Sequence, residues 1–211
     1  MPSRFFITGT DTGVGKTVVS ALLCAALGAI YWKPIQTGTR EGTDRATVTR
    51  IARLPKSRTV PEAYRFAPPV SPHLAARLAG VRINLRKIKM PQIAPAENLV
   101  VEGAGGALVP INSTQLMTDL MAQLNLPVLV VARTSLGTIN HTLLSIAALR
   151  AARIDVRGVV MVGKANRENR AAIERYGDIE VAGAVPLLAK INRAALLRVF
   201  REHFNREAFA A

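Results

Sequence analysis

Short apolar runs alternate with longer helix-like stretches along this 211-residue chain. The apolar runs are nearly continuous, as in VLVV at residues 128–131, and such runs are typical of parallel strands buried on both faces. The pattern predicts strands at residues 4–8, 30–33, 98–102, 128–132, 157–162 and 180–185. It predicts helices at residues 16–27, 44–53, 72–78, 116–124, 139–152, 168–176 and 191–204.

Strands that alternate with helices predict an α/β fold, with three α/β/α layers and a mostly parallel central sheet. No repeat, linker or low-complexity tract interrupts the pattern, so we expect residues 1–211 to form a single domain. Thr43 and Ser71 stand where helix N-caps are expected, and Pro72 suits a first helical position. Residues 54–70 and 81–97, rich in proline and basic side chains, carry no predicted element.

Residues 9–17, GTDTGVGKT, connect the first predicted strand to the first helix. A glycine-rich turn with Gly-Lys-Thr at a helix start is the context of a phosphate-binding loop. Its backbone N–H groups and the helix dipole would attract phosphate, while Lys16 would reach the β- and γ-phosphates and Thr17 would hold Mg²⁺. Thr10 stands where the standard pattern has its first glycine, so an ordinary glycine-rich turn is the alternative.

Two more motifs follow predicted strands, and the carboxyl ends of parallel strands face the same crevice. Lys33 opens KPIQTG, where a lysine would neutralise phosphate or developing carboxylate charge; the alternative is a surface lysine before a turn. Glu102 opens EGAGG, and a strand-end carboxylate beside a phosphate loop is expected to bind Mg²⁺. Asp44, at a predicted helix start, is either a second metal ligand or an N-cap.

Residues 135–141, SLGTINH, also follow a buried strand and open a helix, so free N–H groups there could bind a carboxylate. The two histidines near these motifs, His73 and His141, are interpreted as packed helix residues rather than catalysts.

The chain has a net charge of +14, and 12 of its 28 lysines and arginines lie in residues 40–90. Such a field attracts anions and could bind nucleic acid non-specifically, although a solvated basic surface is the plainer interpretation. The single cysteine, Cys24, excludes an intramolecular disulfide and a cysteine-rich metal site. No signal-peptide pattern and no apolar run of about 20 residues occur, so we expect a cytoplasmic protein without membrane contact.

Five motifs, in order, resemble the dethiobiotin synthetase family over most of the chain: GTDTxVGKT at 9–17, KPxxTG at 33–38, SPH at 71–73, EGAGG at 102–106 and LGxINH at 136–141. The resemblance implies a P-loop NTPase-like fold, a homodimer and Mg²⁺ as cofactor. It also implies ATP-dependent closure of a ureido ring on 7,8-diaminononanoate with CO₂, which gives dethiobiotin in biotin synthesis.

The resemblance implies a function for individual residues. Lys16 and Lys33 would stabilise the carbamate and phosphoryl groups. The implied metal ligands are Thr17, Asp44 and Glu102. The implied ATP site comprises Gly13, Val14, Gly15, Lys16, Thr17, Val18, Asp44, Glu102, Gly103, Ala104, Gly105, Pro186, Leu187 and Leu188. The implied substrate contacts are Thr12, Thr37, Leu136, Gly137 and Asn140, with the last three acting across the dimer interface.

One departure from the family concerns the nucleotide base. Where the family often has an adenine-reading asparagine after the fifth predicted strand, this chain has residues 161–164, MVGK. Only backbone near Pro186 would then contact the base, so we expect relaxed nucleotide choice.

Two other functions are compatible with parts of the sequence. A ParA/MinD-like partitioning ATPase that binds DNA or membrane would suit the basic charge, but that group has a lysine where this chain has Asp11. Nothing in that group predicts Lys33-Pro34, so we expect no specific nucleic acid. A cobyrinate-type amide synthetase requires a glutaminase with a cysteine nucleophile, and Cys24, in the first predicted helix, cannot serve.

Overall fold

The computed structural model describes residues 2–209. The strands of the described chain are β1 (Arg4–Gly9), β2 (Ile30–Trp32), β3 (Ile35–Gln36), β4 (Thr59–Val60), β5 (Tyr64–Arg65), β6 (Leu99–Gly106), β7 (Val128–Arg133), β8 (Val156–Val162) and β9 (Val181–Val185). The α-helices are α1 (Lys16–Leu27), α2 (Asp44–Ala52), α3 (Pro72–Leu78), α4 (Met117–Leu124), α5 (Thr138–Ala151), α6 (Arg167–Gly177) and α7 (Arg193–His203). Short 3₁₀ helices lie at Thr39–Glu41, Lys56–Arg58, Leu85–Lys87 and Arg206–Phe209.

Seven strands form one parallel sheet in the order β4-β2-β6-β1-β7-β8-β9. Helices α1, α2 and α7 pack on one face, and α3 to α6 supply apolar side chains to the other. A hydrophobic core lies on each side of the sheet. Adjacent residues of β1 belong to different cores, since Phe6 packs on one side and Ile7 on the other. The predicted three-layer α/β/α fold with a parallel sheet is confirmed.

Strand order brings the candidate motifs to one edge. β2 follows β1 in the chain but does not pair with it, because β6 lies between the two strands in the sheet. β1 therefore pairs with β6 on one side and with β7 on the other. The carboxyl end of β1 therefore lies between the ends of two strands, at the kind of crevice where parallel α/β sheets bind ligands. β2 lies on the far side of β6, which brings Lys33 to the same edge as Glu102.

The structure differs from the prediction in three places. β4 extends the sheet within residues 54–70, and β3 pairs with β5 in a separate two-stranded sheet. Each of these strands has two residues, too few to show a period of two in the sequence. β6 continues past Glu102 to Gly106, so its predicted end at residue 102 was wrong.

The predicted helix starts are largely confirmed. The Thr43 hydroxyl accepts a hydrogen bond from the Ala46 backbone N–H at 3.1 Å, as an N-cap should. Ser71 occupies the N-cap position of α3, but its side chain makes no capping hydrogen bond. Within residues 2–209, none of the helices combines the length and the apolar character needed to cross a membrane.

Candidate active site

The loop between β1 and α1 has the backbone of a phosphate cradle. Gly13 and Gly15 have φ angles of +71° and +103°, a left-handed region that glycine adopts without strain. Lys16 is 7% exposed, and its ammonium donates a hydrogen bond to the carbonyl oxygen of Asp11 at 2.8 Å. The lysine therefore closes the loop on itself.

Four polar side chains from four elements converge beside this loop. The Lys33 ammonium, directly after β2, donates to Asp44 Oδ2 at 2.5 Å and to Glu102 Oε1 at 3.0 Å. The Thr17 hydroxyl lies 2.8 Å from Asp44 Oδ1 and 3.0 Å from Glu102 Oε1, within donor reach of both. Asp44 is the first residue of α2 after its Thr43 cap, so the alternative of Asp44 as an N-cap is wrong.

The cluster is buried, and its opposite charges keep one another ionised. Lys33 is 5% exposed and Glu102 is 1% exposed, so Lys33 is not a surface lysine. Burial lowers the pKa of Lys33, but the adjacent Glu102 and Asp44 carboxylates outweigh burial and raise it above its usual value. Burial likewise raises the pKa of Asp44, and the Lys33 charge outweighs it and holds that pKa below its usual range. Lys33 is protonated and Asp44 ionised at neutral pH.

Lys16 differs from Lys33 in its protonation. Burial, followed by repulsion from the Lys33 charge, lowers the pKa of Lys16 to about 8. The carboxylates act in the opposite direction without restoring the usual value. The site therefore contains one lysine that keeps its proton and one that titrates slightly above neutral pH.

Two side chains that sequence reasoning missed hold the carboxylates in place. The Tyr31 hydroxyl donates to Glu102 Oε2 at 3.0 Å, and Gln36 Oε1 accepts from the Asp44 backbone N–H at 3.0 Å. Tyr31 and Lys33 are two residues apart in extended chain, so they lie on the same face. This spacing was the sequence signal that could have placed Tyr31 beside the cluster. Gln36 lies inside the KPIQTG motif, but no function was predicted for it.

A cavity of about 670 Å³ opens over the cluster. It is lined by 12 of the predicted residues: Thr12, Gly13, Gly15, Lys16, Thr17, Val18, Lys33, Thr37, Asp44, Glu102, Ala104 and Gly105. Two predicted ATP-site residues lie beneath this surface: Val14 is 1% exposed, and a Cβ on Gly103 would lie 2.8 Å from the Phe6 ring. Any contact that these two make to a nucleotide comes from their backbone.

The remaining predicted residues lie outside this cavity. Leu136, Gly137 and Asn140 are exposed at the start of α5, beside a second cavity of about 400 Å³ that Thr12 also lines. Pro186 lines a third cavity, of about 430 Å³, with Gly163 and Asn166.

Leu187, Leu188 and His141 also lie outside the main cavity. Leu187 is exposed and Leu188 is partly buried after β9, and neither lines the third cavity. His141 is exposed on α5 and lines the second cavity, so its interpretation as a packed residue was wrong.

The cluster suits a magnesium ion. Among residues 2–209, no group of three or more His, Cys, Asp or Glu side chains could hold a metal by itself. Mg²⁺ bound with a nucleotide needs only one or two carboxylates, because phosphate oxygens and water complete its shell. The oxygens of Thr17, Asp44 and Glu102 are hard donors, and the Thr17 hydroxyl lies 2.8 Å from Asp44 Oδ1 and 3.0 Å from Glu102 Oε1, so the donor set fits. Cys24 is buried in α1, and burial raises the pKa of its thiol, so it offers no nucleophile here.

Fold and loop together define a nucleotide-binding protein of the P-loop class. A family model described as an AAA domain matches residues 3–195. The fold is similar to a ParA family ATPase from Chlorobium tepidum, with a TM-score of 0.55 and 12% identity over 94% of this chain and 90% of that one. It is also similar to the MinC:MinD complex of Aquifex aeolicus, with a TM-score of 0.52 and 15% identity over 93% and 86%. At these identities the likeness concerns the fold alone.

Sequence relatives are much more similar and cover the whole chain. The ATP-dependent dethiobiotin synthetase BioD of Novosphingobium aromaticivorans is 50% identical over 99% of this chain and 100% of its own length. Its counterpart in Brucella melitensis biotype 2 is 47% identical over 100% of this chain and 98% of its own length. The chain belongs to the ATP-dependent dethiobiotin synthetase family. The partitioning-ATPase hypothesis is not favoured, since only a distant similarity of fold supports it.

Proposed function

We propose that this protein catalyses the ATP-dependent closure of a ureido ring on 7,8-diaminononanoate with CO₂, which yields dethiobiotin, ADP and phosphate. The observation that carries the proposal is the buried Lys33 ammonium, 2.5 Å from Asp44 and 3.0 Å from Glu102 beside a phosphate loop. Relatives that carry this activity in their names match the chain from end to end at about half identity, with 50% for the first of them.

The proposed reaction has three steps. One amine of the substrate attacks CO₂, loses a proton and forms a carbamate. A carbamate oxygen then attacks the γ-phosphorus of ATP and displaces ADP. The second amine attacks the carbonyl carbon of the resulting mixed anhydride, which expels phosphate and a proton and closes the ring.

Each of these steps develops negative charge on oxygen, so fixed cations stabilise the transition states better than a histidine base would. Lys16, at the phosphate loop, would bind the β- and γ-phosphates. Lys33, which also lines the cavity, would stabilise the carbamate and the transferring phosphoryl group. Thr17, Asp44 and Glu102 would hold Mg²⁺, which neutralises phosphate charge when bound.

We place the diamine next to Thr12 and Thr37, which line the main cavity. Thr12 also lines the second cavity, whose wall includes α5, so a chain-like substrate could reach from one cavity to the other. The turn of Leu136, Gly137 and Asn140 would receive its distant carboxylate.

The same region supports a homodimer. Leu108 and Leu144 line the second cavity and are 58% and 61% exposed, and Leu136, just before α5 in the chain, is fully exposed. Contiguous exposed apolar side chains mark interaction surfaces. We therefore propose that a second copy of the chain covers this surface, so that the substrate site lies at or near the interface, in an enzyme of the cytoplasm.

A turnover assay tests the proposed function. Purified protein is supplied with 7,8-diaminononanoate, bicarbonate, ATP and Mg²⁺, and both ADP and dethiobiotin are quantified. We expect ADP release to require the diamine, because Asp44 and Glu102, the two carboxylates of the cluster, are held by Lys33 and Thr17 and are not poised to activate water. ATP hydrolysis that ignores the diamine but rises with DNA would instead support a partitioning ATPase.

A further inference from the structure

A second buried carboxylate, Glu62, lies outside the site described above. Its side chain is 1% exposed, and its Oε1 accepts a hydrogen bond from Arg45 Nε at 3.0 Å. Its Oε2 has no hydrogen-bond partner in the described chain and lies 3.8 Å from Arg65 Nε. A carboxylate buried to this extent remains ionised only where a paired cation offsets its lost hydration. Glu62 and Arg45 are therefore held together.

The backbone around Glu62 is attached on both sides of Lys33. The two peptide N–H groups that follow Glu62 both donate to the carbonyl oxygen of Pro34, at 2.9 and 3.0 Å. The carbonyl oxygen of the residue before Glu62 accepts from Trp32 Nε1 at 3.2 Å. Trp32 and Pro34 are the chain neighbours of Lys33, so the position of Glu62 is fixed relative to the Lys33 backbone.

The side chain of Glu62 contacts Arg45, which is the chain neighbour of Asp44 in the charge cluster. Arg45 follows Asp44 in the first turn of α2, where a positive charge opposes the helix dipole. The Glu62 carboxylate offsets that unfavourable placement and ties the first turn of α2 to the loop that contains Glu62. Because Asp44 is the adjacent residue, its carboxylate is thereby held at a set distance from the Lys33 ammonium.

We propose that Glu62 is a positioning residue of the active site, which holds the Asp44 carboxylate against Lys33 through its ion pair with Arg45. The inference rests on the proposed function only in that Asp44 and Lys33 act during turnover. Glu62 lines none of the cavities described above, so its effect passes through Arg45 and not through contact with a ligand.

The test replaces Glu62 while keeping its shape. Glu62→Gln keeps an acceptor oxygen for Arg45 but removes the charge, and displacements of about 1 Å in a catalytic group can cost up to about 10²-fold in rate. We expect kcat to fall about 10- to 100-fold and the Mg²⁺ concentration for half-maximal ATP binding to rise severalfold. The KM for ATP at saturating Mg²⁺ should stay within about twofold, because the phosphate loop is untouched.

Glu97→Gln is the matched control. Glu97 also pairs with an arginine, Arg58, but its side chain is one-third exposed and contacts no residue of the site. The same substitution there should leave kcat and the Mg²⁺ dependence at wild-type values. Arg45→Lys, which keeps the charge, should retain more activity than Glu62→Gln.

A double variant, Glu62→Leu with Arg45→Met, separates positioning from stability. Replacing a buried ion pair by apolar side chains is often neutral for folding. Positioning predicts that this variant unfolds near the wild-type temperature yet keeps a low kcat and a shifted Mg²⁺ dependence. Normal kcat and normal Mg²⁺ dependence in Glu62→Gln or in the double variant would overturn the proposal. A wild type that makes no dethiobiotin would refute the proposed function instead, while Mg²⁺-dependent ATP binding would still report on Glu62.

Discussion

Lys33 and Asp44 are 11 residues apart in the chain, yet the Lys33 ammonium lies 2.5 Å from Asp44 Oδ2. The same ammonium contacts Glu102, which comes from a strand 69 residues further along the chain. The single positive charge of Lys33 thus balances two carboxylates at the floor of the cavity. Several consequences of this arrangement can be measured.

Removing the Lys33 charge should impair both turnover and folding. Lys33→Ala should lower kcat/KM at least about 10²-fold, the scale of losing one electrostatic contact to the transition state. It also leaves Asp44 and Glu102 without their cation, which for a buried pair costs about 3–5 kcal/mol of unfolding free energy. Steady-state kinetics and urea unfolding check the two effects. Wild-type kinetics in this variant would show that Lys33 is structural.

Lys16 should impose an alkaline limit on ATP capture. Its pKa of about 8 means that the free enzyme loses the Lys16 charge as the pH rises through that value, so kcat/KM for ATP should fall above it. Bound phosphates favour the protonated lysine, so kcat should remain flatter up to about one pH unit higher. Lys16→Arg should lower the rate about 10²-fold but remove the alkaline limb, because a guanidinium stays protonated. A flat kcat/KM profile in the wild type would contradict this assignment.

Thr17 and Glu102 should act through Mg²⁺. Thr17→Ala and Glu102→Gln each remove one hard oxygen donor from the cluster, so each should raise the Mg²⁺ concentration needed for half-maximal activity. Tyr31→Phe is the informative comparison, since it removes only a hydrogen bond to Glu102 and should shift that concentration less. An unchanged Mg²⁺ curve in Glu102→Gln would mean that the strand-end carboxylate does not bind the metal.

The proposed dimer surface can be tested with a charge. Leu144→Arg puts a cation on the exposed apolar surface of α5, so we expect monomers in light scattering and a loss of turnover. Leu78→Arg is the control, because Leu78 is equally exposed, at 63% against 61%, but lies on α3. A monomeric wild type, or a dimer that survives Leu144→Arg, would count against this surface.

Nucleotide choice should be relaxed. Gly163 and Lys164 follow β8 and offer no side-chain amide, and the Asn166 Oδ1 already accepts the Asn169 backbone N–H at 2.9 Å as the cap of α6. Strong rejection of a wrong base requires polar groups that it would leave unpaired. We therefore expect kcat/KM for ATP to exceed that for GTP or CTP by less than about tenfold, roughly 1.4 kcal/mol. A preference above about a hundredfold would show that another side chain reads the base.

The sequence by itself predicted the fold class, the family and the members of the charge cluster. Continuous apolar runs such as residues 128–131 are typical of parallel strands buried on both faces, so they indicate a parallel sheet without any knowledge of strand order. The GTDTGVGKT loop can be recognised as a phosphate-binding loop from the sequence, because the strand before it and the helix after it are adjacent in the chain. These properties are local, and local patterns can be recognised in a sequence.

Only the tertiary structure decided how the cluster is held. Tyr31 and Gln36 support the carboxylates because β2, β3 and α2 come together at one edge, and Glu62 reaches Arg45 across a loop in which no element was predicted. The two-residue strands β3, β4 and β5 are too short to leave a periodic pattern. Their partners lie far along the chain, and long-range pairing is set by the packing of the whole sheet, which no local window of sequence contains.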